Sequence, residues 1–210
     1  MRKGRVLSLK SFALTEFLQK NYILLIIFFF LGLGIILGTF RFDSTDFWKS
    51  YFNDYLGEFI SRRSEASFWR VFITCFLEAL SQLFLLFLLG TSFFGVITIP
   101  ATMLLKGFLQ GGVAAFLYSQ YGLRGIAFNA VILIPSTLAF LIIAAFFSRE
   151  AVDFSLKLSS LTLNRAMAQN LSLEFKGYCI RFSFFAVLIL AASVLEALIA
   201  VGLIKNFSLV

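Results

Sequence analysis

Long apolar runs alternate along this chain with shorter segments that carry nearly all of its charge. The runs at 22–40, 71–90, 95–118, 126–147 and 182–203 each approach the ~20 residues an α-helix needs to cross ~30 Å of hydrocarbon. This pattern predicts an all-α fold: a polytopic membrane bundle of about five transmembrane helices forming one domain over residues 1–210. Two polar connections keep helical periodicity. In "LSLKSFALTEFLQK" (7–20), Leu9, Phe12 and Phe17 share a face with Lys10, as in a helix lying on a membrane surface. In "FDSTDFWKSYFNDYLGEFISRR" (42–63), Phe47, Tyr51, Tyr55 and Phe59 recur at helical spacing with Trp48 and Phe52 beside them. Such rings favour the headgroup region, so a short interfacial helix is expected, with Phe47, Trp48, Tyr51, Phe52 and Tyr55 a candidate surface for a protein partner.

Composition agrees with the pattern: 60% of the chain is hydrophobic and 29 residues are phenylalanine, more apolar surface than a soluble domain of this size can bury. The run "NYILLIIFFFLGLGIILGTF" ends without an Ala-x-Ala-like site, which marks it as a retained anchor. The net charge of +7 comes from basic residues flanking the spans, so it points to lipid headgroups, with no nucleic-acid partner. Arg2, Lys3, Arg5, Lys10 and Lys20, with Arg149, Lys157, Arg165, Lys176 and Arg181, outnumber the basic residues of the opposite side. That bias places the N-terminus in the cytoplasm and the C-terminus outside, in a multi-pass cell-membrane protein. Cys75 and Cys179 read as small buried apolar residues, without the spacing of a disulfide framework.

Within the spans, three features stand out. Gly34 and Gly38, and again Gly107 and Gly111, form GxxxG pairs that let two backbones approach, either inside the chain or across a homodimer. Pro100 and Pro135 each remove a helical hydrogen bond and are expected to kink their helices; Ser136 and Thr137 can return hydroxyls to nearby carbonyls. Glu78, Lys106 and Glu196 lie deep in apolar runs, where each costs at least ~2.5 kcal/mol. Spans two and three are joined by "GTSFFG", so Glu78 stands ~18 Å above Gly90 and Lys106 ~16 Å above Gly95 on adjacent antiparallel helices. Lys106 is therefore expected to pair with Glu78 or Glu196, with Gln82 and Gln110 completing an intramembrane polar cluster. Such a cluster fixes which helix meets which, or else forms an ion or proton relay.

The chain contains no histidine, which excludes zinc-hydrolase motifs, Ser-His dyads and histidine bases. None of Asp43, Asp46, Asp54 and Asp153 falls inside a span, so a pair of membrane-embedded catalytic aspartates is missing. No phosphate-binding glycine loop precedes a helix. No catalytic, cofactor-binding or metal-ligating residue is assigned, and no enzyme activity is expected.

The segment from Leu88 to Ala145 resembles the stage II sporulation protein M family. It carries a Leu-Gly-x-Ser-x-x-Gly turn (Leu89, Gly90, Ser92, Gly95), Leu-Lys-Gly (Leu105, Lys106, Gly107), Tyr-Gly-x-x-Gly (Tyr121, Gly122, Gly125) and Ile-Pro (Ile134, Pro135). Leu195, Glu196 and Ala197 in the last run fit as well, whereas Ser136 and Thr137 stand where family members often carry Gln-Asn. The resemblance implies a non-enzymatic membrane scaffold for engulfment during endospore formation. Such a scaffold assembles with partners resembling stage II sporulation proteins D and P, which cut peptidoglycan outside the membrane. The family also has members in organisms that do not sporulate, for which transport has been suggested. A permease-like subunit with Glu78, Lys106 and Glu196 lining a path is thus the alternative. The few polar residues in the last two runs favour the scaffold.

Overall fold

The computed structural model describes residues 21–41, 46–64, 67–163 and 171–203. The segment 7–20, Asp43 and the side chains of Phe47 and Ser136 lie outside what is described. The chain forms α1 (Tyr22–Arg41), α2 (Asp46–Ser64), α3 (Phe68–Gly90), α4 (Gly95–Phe128), a π-helical turn (Asn129–Leu133), α5 (Ile134–Leu163) and α6 (Leu171–Leu203). Among the described residues there are no strands.

The closest helix pairing is that of α1 with α4, and glycine makes it possible. A Cβ on Gly34 would lie 2.1 Å from the Leu104 carbonyl oxygen, and one on Gly38 2.0 Å from that of Phe108. In return, Cβ atoms on Gly107 and Gly111 would come 2.2 Å from the carbonyl oxygens of Leu31 and Ile35. The two GxxxG pairs thus face each other within one chain, with residue numbers rising together, so the helices run parallel. Their alternative use in a homodimer would require undoing this contact.

The reversal within α4 is set by Gly122, whose φ of +54° and ψ of −129° fall where side-chain-bearing residues are strained. Helical hydrogen bonding continues on both sides, but the arms fold back. Gly125 packs on the Leu117 carbonyl, Asn129 Nδ2 donates to the Tyr118 hydroxyl at 2.8 Å, and Gln110 meets Thr137. Four described helical stretches are long and apolar enough to cross a membrane: Tyr22–Phe40, Phe68–Gly90, Gly95–Leu133 and Leu171–Gly202. The expected fourth run, 126–147, is divided between the end of the third stretch, beyond the Gly122 reversal, and the start of α5.

Pro100 is buried in α4, and the non-helical residue of that helix is Gly122. Pro135 follows the π-turn, where the hydrogen-bond ladder widens, and the Thr137 hydroxyl donates to the Leu133 carbonyl at 2.6 Å. Cys75 is buried as expected, but Cys179 is only partly covered. Helix α6 also begins well before the expected 182. Phe175 and Tyr178 explain this, because their rings are needed in the packing described next.

At the end of the bundle near the 91–94 turn, Tyr178 stacks between Phe87 (4.9 Å between centroids) and Phe154 (4.5 Å), with Phe147 at 5.8 Å. Its hydroxyl donates to the Phe87 carbonyl at 3.1 Å, and Ser155 donates to the Ser92 carbonyl at 2.8 Å. Ion pairs Lys157–Glu174 and Arg181–Glu150 join α5 to α6 around the stack. Partial burial and the adjacent Glu150 raise the Asp153 carboxyl above its ordinary range.

Replacing Gly111 by Val should drive a side chain into the Ile35 backbone and cost about 1–3 kcal/mol, read as a lower melting temperature in detergent. Gly32→Ala, where a Cβ meets nothing within 4 Å, should leave it unchanged. Equal melting of the two variants would mean that α1 and α4 do not interlock through their glycines.

Candidate functional site

The described core is divided in two. One apolar cluster, near the 91–94 turn, includes Leu83, Leu86, Ile99, Met103, Leu141, Ala144 and Ile189. The other, near α2, includes Val71, Cys75, Val113, Phe116, Ile132, Leu133, Ala197 and Ala200. Between them α3, α4, α5 and α6 change character. Glu78 and Gln82 lie between Cys75 and Leu83 on α3; Lys106 and Gln110 lie between Met103 and Val113 on α4. Thr137 lies between Leu133 and Leu141 on α5, and Ser193 with Glu196 between Ile189 and Ala197 on α6. The helical rise brings these positions to one level, which is why the polar residues meet.

They surround a cavity of about 180 Å³. Glu78, Gln82, Lys106, Gln110, Thr137 and Glu196 supply its polar wall, and Tyr51, Phe52, Tyr55 and Phe59 of α2 supply its aromatic roof. All five residues of the expected polar cluster therefore border one space.

The group that answers Lys106 differs from the expectation. Its ammonium donates to Oε1 of Gln82 and lies 5.3 Å from the centroid of the Phe140 ring. Glu78 acts on it as a charge through space. An amide and a ring can satisfy the ammonium locally without requiring a desolvated carboxylate in contact, which is the costlier arrangement. Gln110 Nε2 reaches the Thr137 hydroxyl at 3.4 Å, a long contact.

The aromatic helix α2 is sunk into the bundle. Phe52 is 1% exposed and seats on Gly112, where a Cβ would meet its ring at 2.3 Å. Trp48 packs edge-on against Phe108, with ring centroids 5.3 Å apart. Within the candidate docking surface, Phe52 is therefore used internally, while Tyr51 and Tyr55 stay about half exposed at the rim of the cavity. Gly112 as a seat and Phe140 as a cation-facing ring were not picked out in the sequence. Gly112 follows Gly111 and was legible as a second small residue on α4; Phe140 carries no signal among so many phenylalanines. Among the described residues, no group of three or more Cys, Asp or Glu side chains is placed to hold a metal ion.

Lys106→Met should remove the cation that Glu78 acts on and cost about 2 kcal/mol, seen as a lower melting temperature and folded yield. Adding Glu78→Gln should return at least half of that loss. No return with Glu78→Gln, but full return with Glu196→Gln, would transfer the coupling to the other acid.

A family model described as stage II sporulation protein M matches residues 25–201, most of the chain. No curated protein and no solved structure matches it.

Proposed function

The chain belongs to the stage II sporulation protein M family, a family of sporulation-related membrane proteins, and on that premise we propose that it is a non-enzymatic scaffold in the cell membrane. In this reading it holds peptidoglycan-cutting partners, resembling stage II sporulation proteins D and P, at the septal membrane during engulfment. The α2 end faces outward, where such partners work, in keeping with the distribution of basic residues.

The observation that carries the reading is the contrast between the two ends of the bundle. A transporter needs a polar route to both faces. Here the polar layer is separated from the 91–94 turn by buried Leu83, Leu86, Ile99, Met103, Phe147 and Tyr178. Toward α2, by contrast, half-exposed Tyr51 and Tyr55 stand beside exposed Asp54 and Glu58 on a helix anchored by Phe52 and Leu56. An anchored helix that presents rings and acids is a surface prepared for a protein, since its own ordering cost has been met in folding.

A photo-crosslinking residue at position 51 or 55 should capture cell-wall hydrolases in sporulating cells, and one at Leu198, which is exposed on α6, should not. Identical adducts at all three positions would contradict the α2 surface. Purified protein in liposomes should conduct no solute; measurable flux would support the permease reading in its place.

A further inference from the structure

We propose that the cavity roofed by α2 is a binding site for a small zwitterion, a primary ammonium joined by a short linker to a carboxylate or phosphate. The inference is independent of the scaffold reading, because it concerns the chain alone.

The space suits such a ligand. A cavity of about 180 Å³ slightly exceeds the ~150 Å³ that accommodates a benzene-sized molecule, so six to ten heavy atoms fit roughly. Its wall carries charges of both signs, Lys106 against Glu78 and Glu196. Lys106 forms the floor, and its ammonium has three donors of which Gln82 takes one. The Gln110 amide stands beside it, its 3.4 Å contact with Thr137 weak enough to exchange for a better acceptor. An anionic group placed here meets a cation and amide donors together.

The same space also offers an acid and aromatic rings. Gly112, which seats Phe52, is six residues beyond Lys106, so the roof stands ~9 Å along α4 from the floor. That height accommodates both poles of a short zwitterion. Glu196 borders the cavity with the rings of Tyr51 and Tyr55. A carboxylate offers about four acceptor positions, so Glu196 can take a ligand ammonium while keeping contacts within the chain. Aromatic faces add attraction for the same cation. A simple anion would be repelled by Glu78 and Glu196, and a simple cation by Lys106. A molecule carrying both charges satisfies both poles.

The same chemistry occurs in a phosphatidylethanolamine headgroup and in a free amino acid, and the experiment separates them. The full chain is placed in nanodiscs of phosphatidylglycerol, with or without phosphatidylethanolamine. Native mass spectrometry then reads retained lipid, and saturation-transfer NMR reads binding of free O-phosphoethanolamine or alanine. Glu196→Gln and Tyr55→Leu, checked for helix content by circular dichroism, should weaken binding at least tenfold. Lys106→Gln should do the same where it folds. Selective retention of phosphatidylethanolamine assigns the headgroup; binding of the free compounds assigns a soluble solute. No retention of any of them by the unaltered chain, or equal retention by the Glu196 and Tyr55 variants, overturns the proposal and leaves a water-filled polar layer.

Discussion

Lys106 sits on the middle of an apolar helix, and the rest of the bundle is arranged around the cost of keeping it there. In hydrocarbon an ammonium without partners is expensive enough to disfavour insertion of the span that carries it. The expense falls only if other helices bring polar groups to the same height. This is what α3, α5 and α6 do, with Gln82, Thr137 and Glu196. The resulting layer gathers the bundle's buried charges and amides between two largely apolar cores. One desolvation cost thus sets the rotation of several helices and their mutual height.

Rotation alone does not bring α4 to the centre; that depends on glycine. The parallel contact of α1 with α4 is held by backbone against backbone, with Gly34, Gly38, Gly107 and Gly111 each close to an opposing carbonyl. Close approach of this kind gains dispersion and weak Cα–H···O contacts where no hydrophobic effect drives helices together. Lys106 directly precedes Gly107, so the residue that fixes the distance to α1 also turns the lysine away from it, toward Gln82 and Phe140. Stability and the placing of the charge are therefore set by one short stretch, Lys106 to Gly112. Its last glycine seats Phe52 and brings α2 down as the roof.

Much of this could be read from the sequence because it follows from spacing. A helical rise of 1.5 Å per residue and a short 91–94 turn suffice to put Glu78 and Lys106 at equal heights, and two GxxxG pairs suffice to name the close contact. What could not be read depended on direction around the helix axis or on competition between partners. Gln82 and Glu78 are four residues apart on one face, and spacing does not say which of them the ammonium meets. The turn at Gly122 was hidden too, because glycine takes its positive φ without strain but spacing does not say which glycine will do so. Pro135 is accommodated by a π-turn and a threonine hydroxyl. The burial of Phe52 was hidden for a related reason. An aromatic stripe at helical spacing fits a headgroup region and a core equally well, and the glycine that decides between them lies on another helix.

The asymmetry along the bundle axis links these features. Near the 91–94 turn, the interior is closed by stacked rings about Tyr178, tied by its hydroxyl to the Phe87 carbonyl and enclosed by ion pairs between α5 and α6. Stacked, hydrogen-bonded rings offer few alternative packings, so this end is the rigid one. At the opposite end, α2 rests on the cores through Phe52 and Leu56 while Tyr51 and Tyr55 remain half exposed over a polar space. A ligand in that space and a partner on α2 would therefore contact the same short helix, and both would meet Tyr51 and Tyr55. Either could alter the other's affinity without any movement of the rigid end, because coupling requires only that both bias the position of α2.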